Sequence, residues 1–319
     1  MAHPSFFIVG APKCGTTALC KYLSQHPDVF LSTPKELNYF DTDFQTKKSA
    51  HSLAEYLEKF AEGEGRVCGE GSTSYLYSKE AAENIYHFNP DAKIIIMLRD
   101  PVMVMQSFHS QLLFNGSSET VQDFAAAIAL EPQRKQGQQM PQRCTVPEML
   151  LYREVVSFAD QVARYLDRFG EAQVKVIVFD EFKQNTAAVY RDVLAFIGAD
   201  PSFTTEFSRI NSNKKARSSW LQTLLKYPPA SVLEIGKYFL PVPRSWRRYV
   251  LEKVKATLKQ LNTQRVSRPP ISEQLKQQLT AEFVPEVKKL EALIDKDLSA
   301  WYQTALREDH NSTVPVSSR

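Results

Sequence analysis

Apolar residues fall into two kinds of run along this chain. Short unbroken stretches, Phe6–Val9 and Lys93–Leu98, have the pattern of strands buried on both faces of a parallel sheet, and Val174–Phe179 reads as another strand. Asp28–Leu31 and Val67–Gly69 read as two shorter strands. Between them apolar residues recur at helical spacing, as at Leu151, Val155, Phe158, Val162 and Leu166. The pattern predicts helices over Thr16–Gln25, Ser52–Phe60, Ser78–Phe88, Leu150–Phe169, Ala187–Ile197 and Ser272–Leu293, with a further one opened by Pro101. Gly170 and Gly198 close two of them. Strands alternating with helices predict an α/β fold, a doubly wound parallel sheet flanked by helices. We expect one domain over residues 5–302 and a polar, disordered tail over 303–319. Ser117–Pro147 is the least regular stretch, and long inserts of this kind often cover a binding site.

Composition changes this picture little. The 319 residues are 43% hydrophobic and 24% charged, which suits an ordinary soluble globular protein. A net charge of +3 gives no reason to expect a nucleic-acid partner. Cations cluster instead between Asn211 and Arg268, where a solvated face, phosphate capture, an acidic acceptor and a membrane surface all remain open. Within 237–268, Trp246, Tyr249, Val250, Val254 and Leu258 interleave with Lys and Arg, a candidate peripheral membrane contact. Cys14, Cys20, Cys68 and Cys144 lack metal-ligand spacing and read as buried thiols suited to a reducing compartment. No basic leader precedes the first strand and no apolar run has the length of a membrane span, so a cytoplasmic location is expected. Oligomeric state has no signature in the sequence.

The chemistry concentrates where the first strand ends. Gly10-Ala11-Pro12-Lys13-Cys14-Gly15-Thr16-Thr17 joins a strand to a helix through a glycine-rich turn, the arrangement that aims backbone N–H groups at one anion. Lys13 adds charge, and Thr16 and Thr17 add hydroxyl donors. The glycine spacing fits the nucleotide-triphosphate P-loop, but that motif places lysine directly after the second glycine, where this chain has Thr16. A nucleotide ligand without a required metal is therefore expected. The alternative is a P-loop kinase or nucleotide-binding protein.

Residues Gly10–Thr17 resemble the 5′-phosphosulfate loop of sulfotransferases that use 3′-phosphoadenosine-5′-phosphosulfate (PAPS). That resemblance makes Pro12, Lys13, Cys14, Gly15, Thr16 and Thr17 cofactor-binding. Arg99-Asp100-Pro101, at the end of Lys93–Leu98 and followed by Ser107, is similar to the family's 3′-phosphate motif, and implies that Arg99 and Ser107 bind that phosphate. Lys35–Asp41 resembles a Lys-Glu-x-x-Phe-Phe-Asp segment of the glycosaminoglycan-type enzymes, which makes Glu36 the general base; Asn38 stands where several of them have His. Glu70–Tyr75 is similar to a Glu-Lys-Thr-Pro-x-Tyr segment, with Gly71 in place of the lysine. Asn211–Arg217 looks like the loop that closes over the adenosine 3′-phosphate, with Lys214 and Arg217 as candidates. His109 is the second candidate base, because imidazole titrates in the useful range. The resemblance covers residues 5–302 and implies sulfonyl transfer to a hydroxyl or amine of a carbohydrate, lipid or small metabolite, with no metal required.

Overall fold

A computed structural model describes residues 2–116, 118–208, 214–218, 253–254, 257–258, 261–265, 268 and 270–303. Residues 211–213, most of the basic 237–268 segment and the tail from 304 onward lie outside the described residues.

The predicted strands pair into one parallel sheet. β1 (Phe6–Gly10), β2 (Val29–Leu31), β3 (Val67–Gly71), β4 (Lys93–Leu98) and β5 (Val174–Val178) lie in the order β2-β3-β1-β4-β5. Every residue of β1 is buried, and so is all of β4 beyond Lys93, as expected for central strands covered on both faces. With β1 central, the connection leaving it runs toward β2 and the one leaving β4 runs toward β5, on opposite sides of the sheet. The carboxyl ends of β1 and β4 therefore flank a topological switch point, where open α/β sheets hold their ligands.

Helix α1 (Thr16–Leu23) follows β1. α2 (Leu53–Glu58) starts from Ser52, whose hydroxyl accepts the Glu55 N–H at 3.2 Å. α3 (Ala81–Phe88) precedes β4 and α4 (Pro101–Asn115) follows it. Beyond these come α5 (Phe124–Ala129), α6 (Glu131–Lys135), α7 (Tyr152–Val155), α8 (Phe158–Phe169), α9 (Phe179–Gln184), α10 (Thr186–Ile197) and α11 (Glu273–Ile294).

Two stretches differ from the sequence expectation. The single helix expected over Leu150–Phe169 is broken between α7 and α8. Local side chains take the carbonyls that a continuous helix would use. Ser157 Oγ donates to the Arg153 carbonyl at 2.9 Å, and Gln161 Nε2 donates to those of Glu154 and Val155 at 2.9 and 3.3 Å. A carboxylate distant in sequence, Glu286, accepts the Ala159 N–H at 2.7 Å and caps α8. Ser117–Pro147, expected to be irregular, contains α5 and α6 and a buried ion pair. Arg134 Nη1 and Nη2 reach Glu119 Oε2 and Oε1 at 2.8 and 2.9 Å, and neither side chain has exposed surface.

The chain divides into two compact units. One comprises 1–106, 152–210 and 271–319; the other comprises 107–151 and 211–270. The first carries the whole parallel sheet. The second carries α5, α6 and an antiparallel pair, β6 (Lys214–Ala216) with β7 (Thr263–Arg265).

Candidate active site

The loop after β1 is shaped by close packing. The Ala11 N–H donates to the Met97 carbonyl at the end of β4 (2.7 Å), and the Leu76 N–H donates to the Val9 carbonyl (2.8 Å). A Cβ at Gly10 would lie 2.5 Å from Leu76 Cβ, so no side chain fits there. Lys13 and Gly15 take positive φ, 67° and 96°, and change the hand of the backbone around Cys14 as anion-binding nests require. A Cβ at Gly15 would press to 2.9 Å on the Phe179 ring. Gly15 is also the N-cap of α1, with no side-chain cap and no acidic residue in the first turn. The first N–H groups of a helix have no acceptor within it, and here no carboxylate competes with an incoming anion. Lys13 is half-buried, Thr16 buried and Thr17 exposed. Pro12 has no N–H and contributes shape alone. The Cys14 side chain is buried, and burial pushes its thiol far above the ordinary range, so its part is backbone and packing.

Phe179, at the start of α9, joins this loop to Arg99. The Arg99 guanidinium lies 4.9 Å from the centroid of the ring that also meets Gly15. Asp100 faces another way. Its Oδ1 accepts the Val102 and Met103 N–H groups at 2.8 and 3.4 Å and caps α4. Ser107 and His109 are both buried on α4. His109 Nε2 lies 2.9 Å from the Val121 carbonyl, its ring is 5.5 Å from Phe124, and burial holds its pKa below the usual imidazole value.

Glu36 sits on a loop gripped by the end of β3. Its N–H donates to the Gly71 carbonyl at 3.1 Å; Asn38 N–H reaches Ser72 Oγ at 3.1 Å; Tyr39 and Phe40 N–H reach the Tyr75 hydroxyl at 2.8 and 3.3 Å. Buried Leu37 and Phe40 anchor the same loop, Phe40 against the Phe7 and Tyr56 rings at 5.7 and 5.2 Å. The Glu36 carboxylate remains 49% exposed and accepts from Lys35 Nζ at 3.1 Å and Thr73 Oγ1 at 3.4 Å. It is therefore open to a substrate while held by two donors.

Lys35 pairs with Glu36, and its placement is one that the sequence reading passed over. A Cβ at Gly71 would meet Cys20 Sγ at 2.9 Å and Lys35 Cε at 3.4 Å, so the Lys35 stem crosses the face that this glycine leaves bare. The Cys20 thiol, pushed up to about 11 by burial, feels both Lys35 and Glu36. The pair thus lies beside α1, the helix that begins after Gly15. Lys214 falls in β6 in the second unit, and Arg217 follows it, exposed, its N–H on the Asn262 carbonyl at 2.7 Å.

A model of the sulfotransferase domain matches residues 3–230. The chain belongs to the PAPS-dependent sulfotransferase family. A crystal structure of a sulfotransferase from Alicyclobacillus acidocaldarius is 31% identical, covers 94% of this chain and 99% of that one, and superposes with a TM-score of 0.68. Among curated relatives, the bifunctional heparan sulfate N-deacetylase/N-sulfotransferase 3 of Mus musculus is 24% identical over 289 residues, 79% of this sulfotransferase and 32% of that protein. The heparan sulfate glucosamine 3-O-sulfotransferase 6 of Homo sapiens is 33% identical over 111 residues, 34% of this chain and 31% of that one. This sulfotransferase thus spans less than half the length of these curated relatives. No described helix is long and apolar enough to cross a membrane.

Proposed function

We propose that this sulfotransferase moves the sulfonyl group of PAPS to a hydroxyl or amine of a carbohydrate acceptor. One observation carries the reading. The side-chain-uncapped N-terminus of α1, Lys13 and Arg99 share the end of the sheet where its connections diverge. Such a cradle suits a nucleotide with two separate phosphate groups. In the transfer, a bond forms from acceptor oxygen or nitrogen to sulfur and the bond from sulfur to the 5′-phosphate oxygen breaks. Lys13, Thr16, Thr17 and the loop N–H groups stabilise the charge on the departing phosphate. Glu36 takes the acceptor's proton. Arg99 holds the 3′-phosphate through its planar fork. These groups supply the counter-charge, so no metal is required. The carbohydrate acceptor is supported by the relatives that act on heparan sulfate and by the Glu36 loop; a lipid or small metabolite acceptor would use the same chemistry.

Calorimetric titration with 3′-phosphoadenosine-5′-phosphate (PAP) against ATP·Mg²⁺ tests the donor assignment. PAP binds and ATP·Mg²⁺ does not, and Lys13→Ala and Arg99→Ala each weaken PAP binding. Glu36→Gln keeps PAP affinity and loses transfer from PAPS to de-N-sulfated heparan sulfate, a glycoside or a fatty alcohol. Selective binding of ATP·Mg²⁺ would instead mark a kinase.

A specific observation also favours contact with a membrane surface. Val254, Leu258 and Leu261 follow one another at helical spacing and are exposed by 49%, 37% and 65%, within the basic segment.

A further inference from the structure

Glu70 is a fully buried carboxylate inside β3, opposite Phe7 of β1. Among the described residues its partners are three hydroxyls and no cation. Tyr56 OH reaches Oε2 at 2.6 Å; Ser72 Oγ and Tyr75 OH reach Oε1 at 2.6 and 2.8 Å. A buried charge neutralised only by hydroxyls is costly, and burial pushes this carboxyl upward while the three hydroxyls pull it back. An apolar side chain would fill the site at less cost, so the network's direction becomes informative.

Its two bonds to Oε1 point one way. Ser72 Oγ accepts the Asn38 N–H, and the Tyr75 oxygen accepts those of Tyr39 and Phe40. A backbone N–H only donates, so Ser72 and Tyr75 each receive from the loop and turn their own proton to Glu70. Oε1 accepts from both, whichever way the Tyr56 proton at Oε2 points. Glu70 therefore sets the polarity of a relay that ends on three consecutive N–H groups of the loop carrying Glu36. That loop needs external restraint, because Glu36 and Asn38 both hold positive φ, 65° and 51°.

We propose that Glu70 is a positioning residue for sulfonyl transfer: acting through Ser72 and Tyr75, it fixes residues 38–40 and so holds the Glu36 carboxylate where the acceptor's proton must go. The proposal rests on the reading of Glu36 as the base. It does not extend to the phosphate cradle.

The test is Glu70→Leu, beside Tyr75→Phe and Ser72→Ala, which each remove one relay hydroxyl and preserve the buried carboxylate. Leucine offers no acceptor, so both relay hydroxyls lose theirs. In Glu70→Leu, kcat for PAPS-to-PAP conversion with de-N-sulfated heparan sulfate falls by about tenfold to hundredfold, the range for outer partners of site residues. PAP affinity stays within about twofold, less than half a decade on the binding scale. Amide exchange rises at residues 36–40 and stays unchanged at Gly15–Thr17. Tyr75→Phe and Ser72→Ala show the same split, and adding Tyr75→Phe to Glu70→Leu costs less than its effect alone, because the relay is already broken. Wild-type kcat in Glu70→Leu, or unchanged exchange at 38–40 in all three variants, overturns the proposal. So does an equal loss of PAP binding, which would mark general structural damage. If Glu36→Gln retains turnover, the base assignment fails by itself, while exchange at 38–40 still reports whether Glu70 restrains the loop.

Discussion

Gly15 and His109 show how differently two residues on motif segments are used. Gly15 combines a φ of 96° with a ring 2.9 Å from where its Cβ would stand. Forcing a Cβ into the left-handed region costs about 1–2 kcal/mol before any contact with Phe179. Gly15→Ala is expected to weaken PAP binding by about tenfold or more in calorimetry, tenfold being 1.4 kcal/mol. Gly198→Ala is the control. It carries the same kind of strain at φ 81° with nothing within 4 Å, so it lowers stability and leaves PAP affinity unchanged. His109 is packed against Phe124 and Val121, with Glu119, Asp123 and Arg134 as the charges around it. Burial favours its neutral form and lowers the folded pKa below 6.5. In the window between the folded value and 6.5 the unfolded chain binds more protons, so stability rises with pH and is fully present above 6.5. Thermal unfolding followed across pH 5–8 should show stability falling below about pH 6.5 in the wild type, and a smaller fall in His109→Gln. The glycine's turn was legible from spacing, because few residues tolerate such a backbone. The histidine's surroundings were not, because Val121 and Phe124 reach it through folding of an insert that has no motif.

At the scale of elements, Asp100 shows a side chain committed to its own helix. Asp100→Ala removes the acceptor of the Val102 and Met103 N–H groups. It should cost about 1 kcal/mol in denaturant unfolding, the usual loss for a helix N-cap. Val254, Leu258 and Leu261 are exposed and lie among lysines of the sequence. Sedimentation with anionic phosphatidylserine vesicles should capture the wild type, and Leu258→Glu with Leu261→Glu should abolish capture without changing PAP affinity. Retained capture would place the contact elsewhere. β4 was legible to the residue because an unbroken aliphatic run has no other comfortable place than the centre of a parallel sheet. The break before α8 was not, since Gln161 and Glu286 create it through bonds whose partners are set by packing.

For the molecule as a whole, the decisive geometry is the strand order. It brings the loop after β1 and the arginine after β4 to one switch point, although Gly15 and Arg99 are far apart in sequence. Because Lys13, Arg99 and the end of α1 supply positive charge there, transfer from PAPS should persist in excess EDTA. Strict dependence on added Mg²⁺ would show that these groups do not suffice. The sequence alone determined the glycine turn after β1, the strand that leads to Arg99 and the position of Glu36 in a loop, because each is a local pattern of glycines, charges and apolar runs. Tertiary structure alone decided that Phe179 bridges Gly15 and Arg99, that Lys35 crosses Gly71, and that Glu70 turns inward to three hydroxyls. Those contacts join residues from separate strands and loops. Burial and hydrogen-bond satisfaction choose such partners only after the sheet has assembled.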